Sequence, residues 1–491
     1  MYWKEALAQK QLQSKNQVMA SGESGQSLKT LLVGTDSSRR ESSQGLDGNS
    51  NGRNVFASPS DRSAPEVHLS SFQGGIGRPR EDFVGGNALF GETVGGGFEA
   101  QGAPGSNYLV NSLLAAPAEG DSLEDKIAGL ESRNTPYLDS RMSVWSRGGE
   151  SGFSRLVIEQ AQFEASTTLG NSLRASLLLE PTYLAGGTAS GTGDSLFGTQ
   201  TSPASFGSQN ASGVGVEAQL SSQSLGIRVG TSPQGFLTHN WIGGLRLQPK
   251  HGPITIILER DSVKDTILSY AGARDPQSGQ IWGGVMANSA SVQGRWGNGV
   301  SGIYVSGGYQ TLEGRNVVRN TGVNGNFGTW WKVAILPTGN LTVGMNFSAM
   351  EYERNLRYFT FGEGGYFSPQ QYFLFSVPVR WTGSYGRRLQ YTVGGSLGAQ
   401  HFVEDASEYY GYPYPALAST GANFSFDARL NYQLAPHWVL GSFVTASNAR
   451  NYTAASAGIF ARYTFEERPM SFDNALPSVP DWRGQQPFLI Y

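Results

Sequence analysis

The chain of 491 residues contains no cysteine. Disulfides, Cys-ligated zinc, iron–sulfur clusters and thiol nucleophiles are thereby excluded. Charge is sparse too: Asp, Glu, Lys and Arg make up 15% of the chain, against about 25% in ordinary soluble domains. The formal net charge of -3 gives no broad basic surface, so nucleic acid is not an expected partner. No run of about eighteen apolar residues occurs, so no transmembrane helix is expected. A membrane barrel, whose strands alternate, would give no such run. Met1-Tyr2-Trp3-Lys4-Glu5 lacks the basic and apolar regions of a signal peptide. For an exported protein, the chain therefore reads as a fragment or as carrying a misplaced start.

What is present is glycine and rings. Gly numbers 66, with 25 Phe, 21 Tyr and 10 Trp, and this glycine content is nearly twice the usual share of about 7%. The sequence divides unevenly. Residues 1–15 read as a short helix, and 16–121, rich in Gly, Ser, Asn and Pro without a sustained period, as a disordered linker. Residues 122–140 hold a short periplasmic helix, with Ser122 as N-cap, that leads into a barrel at 141–465; 466–491 form a C-terminal extension.

After Pro136 the period becomes two. Leu341, Val343, Met345, Phe347 and Ala349 alternate with Thr342, Gly344, Asn346 and Ser348, and similar runs start at Leu389 and Phe424. These strands run to about ten residues, longer than the five or six of soluble sheets and suited to a tilted bilayer crossing. Between Arg141 and Phe465 there is room for roughly sixteen of them. Tight connections, such as Gly297-Asn298-Gly299 and Ala435-Pro436-His437, take turns with long ones. The long set is Ala185–Ala211, Asp261–Ile281, Gly314–Thr321, Arg354–Gln370 and Val403–Ser419. Short turns on one rim and long loops on the other predict an all-β fold, a 16-stranded antiparallel transmembrane β-barrel. Gln390, Thr392, Ser396, Gln400, Asp427, Arg429 and Asn431 occupy the polar phase of two such strands and are expected to face the lumen.

Catalytic constellations are not found. Gly394-Gly395-Ser396-Leu397-Gly398 matches a G-x-S-x-G elbow, but lies inside an alternating strand with no helix after it. There is no phosphate-binding G-x-x-x-x-G-K-[ST], so this chain is not expected to hydrolyse ATP. Five histidines, at 68, 239, 251, 401 and 437, never fall at metal-ligand spacing. No metal, no cofactor and no enzymatic activity are expected. Loop carboxylates such as Glu351 and Glu353 leave a glycosidase as a remote alternative, needing two groups about 5 to 9 Å apart.

Two loops stand out. One runs from Asp265 through Tyr270, Arg274 and Asp275 to Trp282; the other holds Asn355, Arg357, Tyr358, Phe359, Phe361, Glu363, Tyr366 and Phe367, with glycines among the rings. Rings cover the flat CH faces of sugars, while Asp, Arg and Asn hydrogen-bond their hydroxyl rims. These residues are therefore candidates for binding or gating a polysaccharide. The blander alternative is an aromatic girdle or a fastening for a loop.

In Asp265–Pro276 continuing to Trp282-Gly283-Gly284-Val285, in Asn355–Gln370, and in Asn448-Ala449-Arg450-Asn451-Tyr452-Thr453, the chain resembles the C-terminal barrel domain of bacterial cellulose synthase operon protein C. The resemblance runs from about Asp125 to Phe465. It implies an outer-membrane channel through which a nascent β-1,4-glucan leaves the periplasm. Cellulose or a related glucan, outer-membrane lipid and lipopolysaccharide, and periplasmic cellulose-synthase components are the partners it implies. The N-terminal linker and the C-terminal tail would then lie in the periplasm. The family places helical repeats before its barrel, of which residues 2–15 could be a remnant. Alternatives are a diffusion porin for small solutes and, in another class, a barrel hydrolase acting on glycan or lipid.

Overall fold

The computed structural model describes residues 135–466, apart from 171–172, 191–195, 202–204, 223, 250–251, 337, 387, 410–411 and 450–451. The expected N-terminal helix, the linker, the helix at 122–133 and all but the first residue of the C-terminal extension lie outside the described residues.

Strands follow one another around a ring. The first half is β1 (Tyr137–Arg147), β2 (Leu156–Leu169), β3 (Leu173–Ser190), β4 (Ser205–Ser221), β5 (Leu225–Gln234), β6 (Trp241–Leu247), β7 (Ile254–Ser262) and β9 (Ile281–Gly297). The second half is β10 (Ser301–Arg315), β11 (Val317–Leu336), β12 (Gly339–Tyr352), β13 (Gln371–Tyr385), β14 (Leu389–Glu404), β17 (Leu417–Ala435), β18 (Trp438–Ala449) and β19 (Tyr452–Thr464). Each pairs antiparallel with the next, and β19 pairs with β1 from Thr464↔Tyr137 to Ala454↔Arg147, so the barrel closes with 16 strands. Closure leaves the ring no edge to template aggregation. The loops add the two-residue β8 (Ala273–Arg274), a hairpin of β15 (Ser407–Tyr409) and β16 (Tyr412–Tyr414), and one helical turn, α1 (Ile267–Ala271).

Period two becomes two chemically distinct faces. On β1, Leu138, Met142 and Val144 are exposed, while Tyr137, Asp139, Trp145 and Arg147 are buried. On β13, Phe373, Phe375, Val377 and Val379 point out, and Ser376 and Arg380 point in. An outer apolar belt over an inner polar wall is the arrangement a bilayer-spanning barrel requires. Several lumen rings lie flat on glycines of the neighbouring strand. A Cβ on Gly441 would meet the Phe460 ring at 2.1 Å, one on Gly458 the Phe443 ring at 2.3 Å, and one on Gly328 the Tyr304 hydroxyl at 2.1 Å. At these positions glycine lets aromatic side chains lie along the wall instead of projecting into the channel.

Tight turns join β2–β3, β4–β5, β6–β7, β9–β10, β11–β12, β13–β14 and β17–β18 at one rim. At β9–β10 the Asn298 side chain accepts the N–H groups of Val300 at 2.9 Å and Ser301 at 2.8 Å, a side-chain substitute for a backbone turn. The opposite rim carries the longer connections, apart from β18–β19, whose strands are two residues apart, and with one correction to the expected loops. Gly314–Thr321 is not a loop: β10 runs to Arg315, Asn316 turns alone at φ 52°, and β11 starts at Val317. Asn tolerates that left-handed conformation, and the ladder continues up to it. The barrel also opens at Tyr137 rather than Arg141 and ends at Thr464.

Candidate functional site across the barrel mouth

Two of the longer connections reach across the long-connection rim. The segment after β7 turns inward, and its helical turn α1 is buried along all five residues. Thr266 caps it: its hydroxyl accepts the Ser269 N–H at 3.1 Å, and the Ser269 hydroxyl accepts the Thr266 N–H at 2.9 Å. Gly272, at φ 77°, ends it. Ile267, Tyr270 and Ala271 pack against Trp145 of β1, Leu156 and Ile158 of β2, Leu184 of β3 and Ala454 of β19. Arg147 of β1 donates to the backbone carbonyl of Asp265 at 2.5 Å. Strands β1 and β7 are six places apart on the ring, so these contacts cross the lumen.

The β12–β13 loop crosses as well. Gly198, between β3 and β4, donates to the Phe359 carbonyl at 2.8 Å and accepts the Phe361 N–H at 2.9 Å. The strands bearing these two loops stand eight places apart, half of the ring. The crossing segments are fastened to each other, since the Asp265 carboxylate accepts the Phe367 N–H at 2.8 Å. Where they meet, Phe153, Phe197, Leu268, Trp282 and Phe359 form a buried cluster with Phe361 against it. Its rings pack edge to face or tilted: Phe153 on Phe359 at 5.4 Å, Phe197 on Trp282 at 5.0 Å, Trp282 on Phe361 at 5.7 Å.

The sequence-predicted residues divide by position. Trp282 and Phe359 lie in that central cluster. Tyr366 packs on Val285, Leu312, Tyr352 and Leu356, whereas Phe367 packs on Tyr372, Leu374 and Phe402 of the wall. Asn355 donates to the Asp405 carbonyl at 2.9 Å, Arg357 pairs with Glu404 at 3.0 Å, and Tyr358 stacks on Tyr414 at 3.7 Å. Arg274 is exposed and donates to Gly279 within its own loop at 2.9 Å. Asp275 accepts the Thr199 N–H at 2.9 Å and its hydroxyl at 2.8 Å, linking the β7–β9 loop to the β3–β4 loop. Most of these rings are spent on one another and on the wall.

Two loop carboxyls are perturbed in opposite directions. Burial raises Glu363 to about 7, against hydrogen bonds from Thr360 and Ser407 and the charge of Arg357. Burial acts the same way on Asp275, but hydrogen bonds from Ser278 and Thr199 outweigh it and hold this carboxyl down at about 2. At neutral pH the mouth thus contains a carboxyl near half-protonation and a firmly ionised one.

Below the mouth, Gln390, Thr392, Ser396 and Gln400 of β14 and Asp427, Arg429 and Asn431 of β17 lie on the face opposite the exposed Val393, Leu397, Phe426 and Leu430. Ser396 shares a hydrogen bond with Ser425 at 2.8 Å in mid-strand. Three arginines of the inner wall face carboxylates: Arg380 meets Asp427 at 3.1 Å, Arg462 meets Asp139 at 2.7 Å, and Arg228 meets Glu217 at 2.8 Å and Asp261 at 2.9 Å.

Sequence reading missed Phe153, Phe197 and Gly198, which sit in loops of ordinary composition, and Tyr414, although Tyr409, Tyr410 and Tyr412 just before it mark that loop as rich in rings. It also missed a usable signal in the strands. Trp145, Ile158 and Leu184 fall in the polar phase of their alternation, and apolar residues there mark where something docks inside the barrel.

An edgeless ring with an apolar outer belt and a polar interior defines the class of outer-membrane β-barrel proteins. Within that class, the profile described as cellulose synthase operon protein C C-terminus matches residues 154–466, and the chain belongs to this family. The chain is similar to cellulose synthase operon protein C of Pseudomonas fluorescens, 33% identical over 365 residues, covering 70% of this chain and 28% of that protein. The Komagataeibacter xylinus protein is 29% identical over 413 residues, covering 74% and 32%. That of Salmonella typhimurium is 27% identical over 301 residues, covering 56% and 25%. The chain thus spans about a third or less of the length of these relatives. Among solved structures, a bacterial polysaccharide outer membrane secretin aligns at 12% identity with a TM-score of 0.46, covering 68% of this chain and 99% of that one.

Proposed function

We propose that the barrel conducts a neutral β-1,4-glucan, cellulose in the first instance, from periplasm to cell surface, and that the loops across its mouth are a gate closed at rest. The short-turn rim, with both termini, faces the periplasm, where other cellulose-synthase components deliver the polymer. The long-loop rim faces outward, among lipopolysaccharide. The carrying observation is the pair of hydrogen bonds joining Gly198 to Phe359 and Phe361 from opposite halves of the ring. A loop that only guided a chain would keep its rings exposed; these are buried in cross-mouth contacts. Arginines matched by carboxylates and rings laid on glycines favour an uncharged, smoothly sliding polymer over an ion-selective constriction.

The test is deletion of Tyr358–Phe367. In planar bilayers the wild-type protein is expected to be largely silent and the deletion to conduct steadily. High resting conductance of the wild type would instead favour a small-solute porin.

A further inference from the structure

The gate does not fill the whole mouth. Beside it, toward β1, β14 and β19, remains a cavity of about 370 Å³, at the small end of the range for ligand pockets, about 300–1,000 Å³. The geometry points to a saccharide subsite in this cavity, taking a unit of the emerging glucan; the assignment of glucan rests on the export reading above.

Three tyrosines line the cavity. Tyr358 of the gate stacks on Tyr414 of the β14–β17 loop with rings 3.7 Å apart and 14° from parallel, and Tyr452 stands at the start of β19. Pro413 and Pro415 flank Tyr414 and add CH surface. The charges are balanced. Arg147 and Arg357 line the cavity, and so do Glu150 and Glu404. Arg357 pairs with Glu404 at 3.0 Å, and the Arg147 guanidinium lies 4.2 Å from the centre of the Tyr452 ring. Matched charges give an anion no net attraction, while charged groups beside flat rings suit a ligand with apolar faces and hydroxyl edges. A pyranose ring has that chemistry.

The place matters as well as the lining. The crossing loops spring from β7–β9 and β12–β13, whereas this cavity lies toward the strands where the ring closes. One wall is the gate itself, through Tyr358, Phe359, Tyr366 and Phe367, and another is fixed barrel, through Arg147 and Tyr452. A sugar unit bound here would hold the gate side against the barrel side, so occupancy and gate position are coupled.

The purified full chain in detergent should bind cellohexaose saturably by calorimetry, with maltohexaose, whose α-linked chain coils, binding more weakly. Tyr414→Ala and Tyr452→Ala should each weaken cellohexaose about tenfold or more, and Tyr414→Phe should retain it. Gel mobility before and after heating checks that each variant holds its barrel. Absence of saturable binding by the wild type, or unchanged affinity in folded Tyr414→Ala, overturns the subsite. The export reading fails separately: it is lost if cellulose secretion proceeds without the barrel, and it stands if secretion needs the barrel while cellohexaose binding is absent.

Discussion

Asp265 and Phe367 join the two loops that cross the barrel mouth: the carboxylate of the first accepts the backbone N–H of the second at 2.8 Å. The Asp265 carbonyl also accepts from Arg147 on the far wall. One residue thereby ties both loops to each other and to the ring.

Asp265→Ala should loosen this joint. A hydrogen bond to a charged group is worth about 1.5–3 kcal/mol, so the open population should rise by about ten- to a hundredfold. Open probability in planar bilayers reads this directly, with barrel heat stability little changed.

Gly198→Ala tests the second crossing. Gly198 has φ 65°, and an added Cβ would meet Asp275 Oδ1 at 2.1 Å. The left-handed conformation alone costs about 1–2 kcal/mol for a residue with a side chain, and the clash strains the bonds from Thr199 to Asp275. Limited proteolysis on intact cells should cut the mouth loops faster than in wild type.

Trp282→Ala should remove the centre of the aromatic cluster. The side chain is fully buried, and such truncations cost about 3–5 kcal/mol. The wall strands keep their own ladders, so gate opening rather than barrel unfolding is the expected result, seen as steady conductance with normal heat-modified mobility.

Closure should also depend on pH. With the loops packed across the mouth Glu363 titrates at about 7 rather than 4.5, so on the proposed gating the packed state binds a proton that a solvated carboxyl would release between those values. Closure is then strongest below the lower value and weakens as pH rises through the higher one. Open probability should increase from pH 5 to pH 8, and Glu363→Gln should flatten the profile. Asp275 acts in the opposite sense: its contribution is present above 3.8 and is lost as pH falls through about 2.

The barrel was legible because two faces impose period two on every strand, as in Leu341 to Ala349. Loop parity was legible for the same reason, except at β18–β19, two residues apart, and at Asn316, where a single residue does the work expected of a longer connection. The composition of Asn355–Phe367 marked it as unusual, but not its state. Whether Phe359 waits exposed or lies against Phe153 depends on a contact between opposite sides of the ring, which no local pattern encodes. The polar-phase Trp145, Ile158 and Leu184 were the sequence trace of the other crossing, where α1 docks on the wall.

The absence of cysteine permits a direct test of the central claim, that the gate must move for polymer to leave. A Cβ placed on Gly186 of β3 would lie 3.5 Å from Ile267 Cγ2 of α1; Cγ2 is one bond beyond Cβ, so the two β-carbons lie within about 5 Å of each other, in reach of the roughly 3.5–4.5 Å of bridged Cβ atoms. The Gly186→Cys/Ile267→Cys pair should therefore pin the gate to the wall when oxidised. In cellulose-producing cells, secretion should stop under oxidising conditions and return on adding a reductant. Secretion at the wild-type rate with the disulfide fully formed would contradict the account.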